Sequence, residues 1–292
     1  MGLNIGERIR ELLEDYEVAG AGTRHMALVP NFPTNKTLIN NVQAAVTASH
    51  LRLQSIDYAK KKYCRNRTGD KSKNKGVVSE YINAYKSAKK HIEKEISRVI
   101  TEGTTLPSNG VFGASIVLER LITSFFSAHL LYRLGNEYEA HAVSRLILEQ
   151  IAWAYVAYPF DNISDIEKIT TTKTISELKK ITPECARLYG FLSKKTHIDY
   201  NSHIEFLQVQ DERNVILLSR SEYYDYAKVI LTLADLFGIV LEISQFDYMS
   251  KAESVNKRGN IFVVKQNRPF LKVIEKHLSK IKRAETRSTP QI

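Results

Sequence analysis

The sequence predicts a mainly α-helical protein: a helical bundle behind a long N-terminal antiparallel helical hairpin, with at most a short two-stranded β element. Three observations lead there. Seven prolines and 13 glycines in 292 residues leave long stretches free of helix breakers. Apolar side chains recur at spacings of three and four along much of the chain. The two longest apolar stretches, VSRLILEQIAWAYVAY (143–158) and YAKVILTLADLFGIVLEI (226–243), have helix length. Both carry charges at mid-length, which makes them core helices rather than membrane spans.

Residues 1–35 form an N-terminal segment. Its first part, MGLNIGERIRELLEDYE, is charged within the first turns and lacks both a signal-peptide core and a myristoylation pattern. A soluble, cytoplasmic protein is expected. Cys64 and Cys185 have no CxxC partner and no metal-ligand spacing, so they read as free thiols in a reducing compartment.

Residues 36–105 are expected to form the hairpin. The first arm, 36–66, places Leu38, Val42, Ala45, Leu53, Ile56 and Tyr63 on one stripe, with Ser49 and Lys60 filling the gaps. The second arm, 76–101, does so with Val78, Tyr81, Ile82, Tyr85, Ala88, Ile92, Ile96 and Val99. RTGDKSKNKG has the glycines and small polar residues of their connection, and TEGTTLPSNG (101–110) reads as the boundary that follows.

The main bundle is expected over 106–250. Its first two helices turn at Gly135-Asn136, and Pro159 ends the second. Asn162 or Ser164 suits an N-cap in the polar stretch that follows. Pro183 fits the first turn of a helix running to about His197. Another long helix, apolar on most sides, fills 220–250. DERNVILLS and NIFVVKQN carry β-branched clusters that read as short strands or buried loops. Residues 251–292 complete the chain with a basic amphipathic helix, NRPFLKVIEKHLSKIKRAE, and a tail.

Charge is unevenly distributed. Residues 60–98 hold 13 Lys/Arg against 4 Asp/Glu and residues 251–292 hold 11 against 3, whereas residues 99–250 hold 13 against 19. Two basic segments flanking an acidic body suit a polyanion, foremost nucleic acid. The densest part is KKKYCRNRTGDKSKNK, with Lys60, Lys61, Lys62, Arg65, Arg67, Lys71, Lys73 and Lys75 as candidate phosphate contacts. A solvated turn that only keeps the protein soluble has the same composition.

Two polar ladders stand out. Glu137, His141, Arg145 and Glu149 are successive i, i+4 positions. The helix is almost wholly apolar from Leu146 onward, which puts Arg145 and Glu149 at the expected buried end. Tyr189, Ser193 and His197 form the second ladder, with Leu188, Phe191 and Leu192 turned to the core. Facing ladders would share their desolvation cost and bring Arg145, Glu149, Tyr189, Ser193 and His197 together. Such a group serves general acid–base chemistry on a phosphodiester. It equally describes a satisfied buried polar network.

SRLILEQIAWAYVAY followed by LYGFLSKKTHIDY resembles an uncharacterised family of bacterial helical proteins in which an R-x-x-x-E helix precedes an S-x-x-x-H helix. The matching positions are Arg145 and Glu149, then Ser193 and His197. More distantly the arrangement is similar to the higher-eukaryote-and-prokaryote nucleotide-binding (HEPN) superfamily of helical bundles. Many of its members are dimeric, metal-independent ribonucleases of toxin–antitoxin and phage-defence systems. Their motif leaves four to six residues between an arginine and the histidine, which would put the arginine at 190–192, where this sequence has Gly190, Phe191 and Leu192. The resemblance therefore implies that Arg145 stabilises the phosphate from across the bundle, with His197 as general acid or base. Glu149 would orient the arginine, and Ser193 or Tyr189 would complete the hydrogen bonds.

The resulting expectation is an HEPN-like RNA-directed effector, a metal-independent ribonuclease in a bacterial defence or toxin setting, acting as a homodimer with a possible antitoxin or defence partner. The alternatives are a non-catalytic helical module for nucleic acid or a partner protein, and a small-nucleotide sensor. RNA is expected ahead of DNA. No GxxxxGK[ST] or GxGxxG loop is present. His197, Asp199 and His203 give only a weak metal pattern, and nothing points to an oxyanion site beside Ser193. No metal or cofactor is expected.

Overall fold

The structure, a computed structural model, describes residues 16–21, 25–30, 36–64, 75–99, 107–197, 204, 207–210, 213–216, 222–259 and 261–288. The chain divides into two compact units, residues 1–72 and 73–292.

In the first unit β1 (Tyr16–Ala21) pairs antiparallel with β2 (His25–Pro30), Tyr16 opposite Pro30 and Ala21 opposite His25. Helix α1 (Lys36–His50) packs on both strands and buries a face of small side chains, Ala44, Thr47 and Ala48. The helix stops where Arg52 takes the left-handed conformation, φ 53°. Ser55 then caps α2 (Ile56–Ala59) by accepting the Tyr58 N–H at 3.2 Å, and the helix widens into a π-turn, Lys60–Cys64.

Both arms of the hairpin expected over 36–105 hold helices, Lys36–His50 in the first and Lys75–Ser97 in the second. Its arms belong to different units, and the first arm is broken at Leu51–Ser55 rather than continuous. Leu38, Ile56 and Tyr63, three members of its supposed stripe, are 44%, 50% and 43% exposed. The second arm, α3 (Lys75–Ser97), has the stripe as read, with Tyr81, Tyr85, Ala88 and Ile92 buried. That stripe is covered by the bundle's own helices over Tyr223–Ser244 and Pro269–Ser288.

In the second unit α4 (Asn109–Leu134) and α5 (Glu137–Ala157) form a tight antiparallel pair. Ser108 caps α4 by accepting the Val111 N–H, and Gly135 ends it at φ 77°, a conformation that favours glycine. Gly110 also has a reason: a Cβ there would collide with the carbonyls of Ala157 and Phe160, and Gly110 N–H donates to the latter at 2.9 Å. By length and composition α4 is apolar enough to cross a membrane, and on its outer side Phe112 and Ile116 are exposed. Asn162 caps the short α6 (Ile163–Glu167) through the Ser164 N–H. After α7 (Thr171–Ile181), Pro183 occupies the first turn of α8 (Pro183–Thr196), as its sequence signals.

The β-branched segments supply strands: β3 (Leu207–Gln210) with β4 (Arg213–Ile216), and β5 (Val255–Arg258) with β6 (Ile261–Val264), both antiparallel. With β1–β2 the described residues hold three separate two-stranded pieces in a mainly α protein.

Helix α9 (Tyr223–Ser244) runs through the core and contacts α3, α4, α5, α8 and α10 (Pro269–Ser288). It is buried on nearly every side, so its two core carboxylates need dedicated partners. Asp235 is held by Arg268, whose Nε donates at 2.8 Å and Nη2 at 2.5 Å, both side chains about 95% buried. Glu242 accepts the backbone N–H groups of Glu253, Ser254 and Val255 at 2.8, 2.7 and 3.0 Å, and the Arg98 guanidinium at 3.2 Å.

Replacing Arg268 leaves Asp235 charged and unpaired inside the bundle. Arg268→Ala is expected to lower unfolding stability by about 3–5 kcal/mol, read from urea denaturation.

Candidate functional site

Helices α5 and α8 pack against each other, as their polar ladders require. At one end Arg145 donates from Nε to Glu149 Oε1 at 2.9 Å and from Nη2 to the Tyr189 hydroxyl at 3.0 Å. Its guanidinium also lies over the Tyr189 ring, 5.1 Å from the centroid. Three of the five expected residues are thus in direct contact. Arg145 remains 33% exposed and Glu149 21%, so this group is reachable from solvent.

The ladder is buried at the opposite end from the one expected. Glu137 is 3% exposed and His141 1%. Lys195, from the SKKTH segment, reaches inward and pairs with Glu137 at 3.4 Å. The Tyr226 hydroxyl donates to the second Glu137 oxygen at 3.3 Å, and the Tyr226 ring stacks on Tyr132 at 4.3 Å. Tyr132 in turn shares a 3.1 Å hydrogen bond with Ser144 and is pushed well above the usual phenol range by burial. His141 sits edge-on to Tyr132, Phe191 and Tyr226. The apolar run after Leu146 misplaces the buried end because neighbouring helices decide it: Leu146 itself is 45% exposed.

Ser193 lies one turn beyond Tyr189, and its Oγ is buried without a hydrogen-bond partner among the described residues. His197 is the C-cap of α8, exposed, with its backbone N–H donating to Ser193 O at 2.9 Å. Eight residues separate it from Tyr189, about 12 Å along the helix axis. An acid–base group and an arginine clamp that serve one phosphate both need hydrogen-bond reach of it. The fold supplies the clamp at Tyr189 and the imidazole two turns away. Asp199 and His203 lie outside the described residues.

Of the basic cluster, Arg65, Arg67, Lys71 and Lys73, and the side chain of Lys75, lie outside the described residues. Lys60 donates to Asn41 Oδ1 at 2.6 Å, and Lys61 is exposed. Lys62 donates to the Tyr58 hydroxyl at 2.8 Å, with its ammonium 5.3 Å from the Tyr58 ring centroid and 5.6 Å from that of Tyr63. The two rings meet edge-to-face at 6.5 Å and are 47% and 43% exposed. Sequence reading assigned Tyr63 to a buried stripe and passed over Tyr58.

A third ladder was also passed over. Ser87, His91 and Glu95 follow the same i, i+4 rule on α3, hidden in a run of lysines that reads as a solvated face. Glu95 is 1% exposed, and burial pushes its carboxyl up to about 7 against the pull of Arg98, whose Nη1 lies 2.5 Å away. Burial pushes the His91 imidazole down to about 4.

No protein-family model matches this chain, and no curated protein or solved structure matches it.

Two measurements follow from these geometries. Lys195→Met, which strips a buried carboxylate of its cation, is expected to lower stability by about 1–3 kcal/mol. His197→Ala, at an exposed cap, should change it by less than about 0.5 kcal/mol. The Glu95 carboxyl takes up its proton more readily folded than unfolded, so its contribution is full below pH 4.5 and is lost as pH rises through about 7. The lowered His91 imidazole works the other way, adding stability as pH rises to about 6.5, so the group is isolated by comparison: in urea denaturation from pH 5 to 8 the stability of wild type relative to Glu95→Gln should fall across the window.

Proposed function

We propose that this chain is a non-catalytic helical module that binds single-stranded nucleic acid, with RNA as the first ligand to test, through the basic, tyrosine-bearing surface of residues 56–64. The observation that carries the reading is the Tyr58–Lys62–Tyr63 cluster. Two half-exposed aromatic rings flank an ammonium group, and exposed Lys61 lies beside them. Aromatic side chains that stack bases, interleaved with lysines that neutralise phosphates, are the working parts of sequence-tolerant single-strand binding. Ala59 is the buried residue of this helix, whereas both tyrosines keep close to half of their surface exposed.

A ribonuclease remains a second reading, favoured by one observation: Arg145 is oriented by Glu149 and Tyr189 while still open to solvent. Its signature is RNA shortening in EDTA that disappears in Arg145→Ala and His197→Ala.

Fluorescence anisotropy with a labelled single-stranded RNA tests the binding surface. Tyr58→Ala and Tyr63→Ala are each expected to weaken binding about tenfold, near the lower end of measured base–aromatic stacking. Lys61→Ala and Lys62→Ala should each reduce the salt dependence of log K by about 0.7. Unchanged affinity in all four variants would remove the surface from the account.

A further inference from the structure

A cavity of about 250 Å³ lies between α3, the first turns of α10 and the corner at Glu253–Ser254. It is smaller than the about 300–1,000 Å³ of pockets for drug-sized ligands. One wall is apolar: Pro269, Phe270 and Val273. The His91 ring stacks on Phe270 at 3.8 Å, and Gly238 gives the imidazole its seat, since a Cβ there would lie 2.7 Å from Nε2.

The charges around the cavity are equal in number, three carboxyls and three cations, but they are not all paired. Glu95 and Glu242 are two buried carboxylates that share one guanidinium, that of Arg98, through Nη1 at 2.5 and 3.2 Å. Lys94 is taken by Glu253, at 2.7 Å. Glu95 Oε2 carries the Arg98 bond, while Oε1 takes part in no hydrogen bond among the described residues and lies 3.7 Å from His91 Nδ1. At the rim Lys90 is exposed and takes part in no ion pair among the described residues. The cavity thus presents an under-used carboxylate inside, an apolar wall, and an uncommitted ammonium outside.

We propose that this cavity binds a small zwitterion with an apolar body, an apolar amino acid, its ammonium on Glu95 Oε1 and its carboxylate on Lys90. A simple amine would balance Glu95 but meet Lys90 with like charge. A simple acid would pair with Lys90 but meet the buried carboxylate. Only a molecule carrying both charges satisfies both ends, and Phe270 and Val273 take its hydrocarbon. This site is independent of the nucleic-acid surface, which belongs to the other unit.

The test is calorimetric titration of the full chain at neutral pH with leucine, methionine and phenylalanine, beside 3-methylbutylamine and 4-methylpentanoate as the two halves of leucine. At least one amino acid is expected to bind with millimolar or tighter affinity, and each half-molecule about tenfold or more weakly than leucine. Lys90→Ala, an exposed change that leaves the core intact, should weaken binding about tenfold, and Glu95→Gln further. If Glu95→Gln fails to fold, Lys90→Ala decides. No binding by any of the three amino acids, an amine that binds as well as leucine, or undiminished affinity in Lys90→Ala would each overturn the proposal.

Discussion

Everything in the larger unit is arranged around a helix that water barely touches. Helix α9 carries Asp235 and Glu242 into the core, and an unpaired ion there costs several kcal/mol. The fold answers with two arginines from distant parts of the chain. Arg268 fixes the start of α10 against the middle of α9. Arg98, just past the end of α3, ties α3 to the far end of α9, while three backbone N–H groups at residues 253–255 close on Glu242 and begin β5. The C-terminal basic segment is therefore part of the bundle, docked through its charge.

That pairing also shapes the places where ligands fit. Arg98 serves both Glu95 and Glu242, burial favours the protonated Glu95 carboxyl, and the cavity lies beside this group. Between α5 and α8 the balance comes out differently. Lys195 turns inward to Glu137, so the SKKTH segment contributes its lysine to stability and leaves its histidine at the surface. Arg145, Glu149 and Tyr189 satisfy one another nearer to solvent. The Tyr58–Lys62–Tyr63 group, in the other unit, keeps aromatic area exposed beside a cation.

Features set by local chemistry were legible from the residues alone. Gly135, Asn162 and Pro183 each do at a helix end what their side chains favour, and α3, α8 and α9 follow their apolar periodicity. Features decided by a neighbour were not. The stripe read through Ser49 and Lys60 conceals a break, because a gap in periodicity looks alike whether a helix continues or stops; the positive φ of Arg52 is what stops it. The α5 ladder carries no mark of which end Lys195 and Tyr226 will cover. Strands β1 and β2, YEVAGA and HMALVP, are short and rich in small residues, so they give little alternation to detect. Glu95 was hidden for a related reason: its lysine neighbours announce an exposed face, while one position in that run turns into the core.

The most direct test is to incubate the purified chain with end-labelled single-stranded RNA in EDTA, retain the complex on a filter, and examine the length of the recovered RNA. The account predicts saturable retention that weakens steeply with salt, with the RNA recovered intact. RNA that is not retained at low salt, or that comes back shortened by wild type and intact from Arg145→Ala, would contradict it.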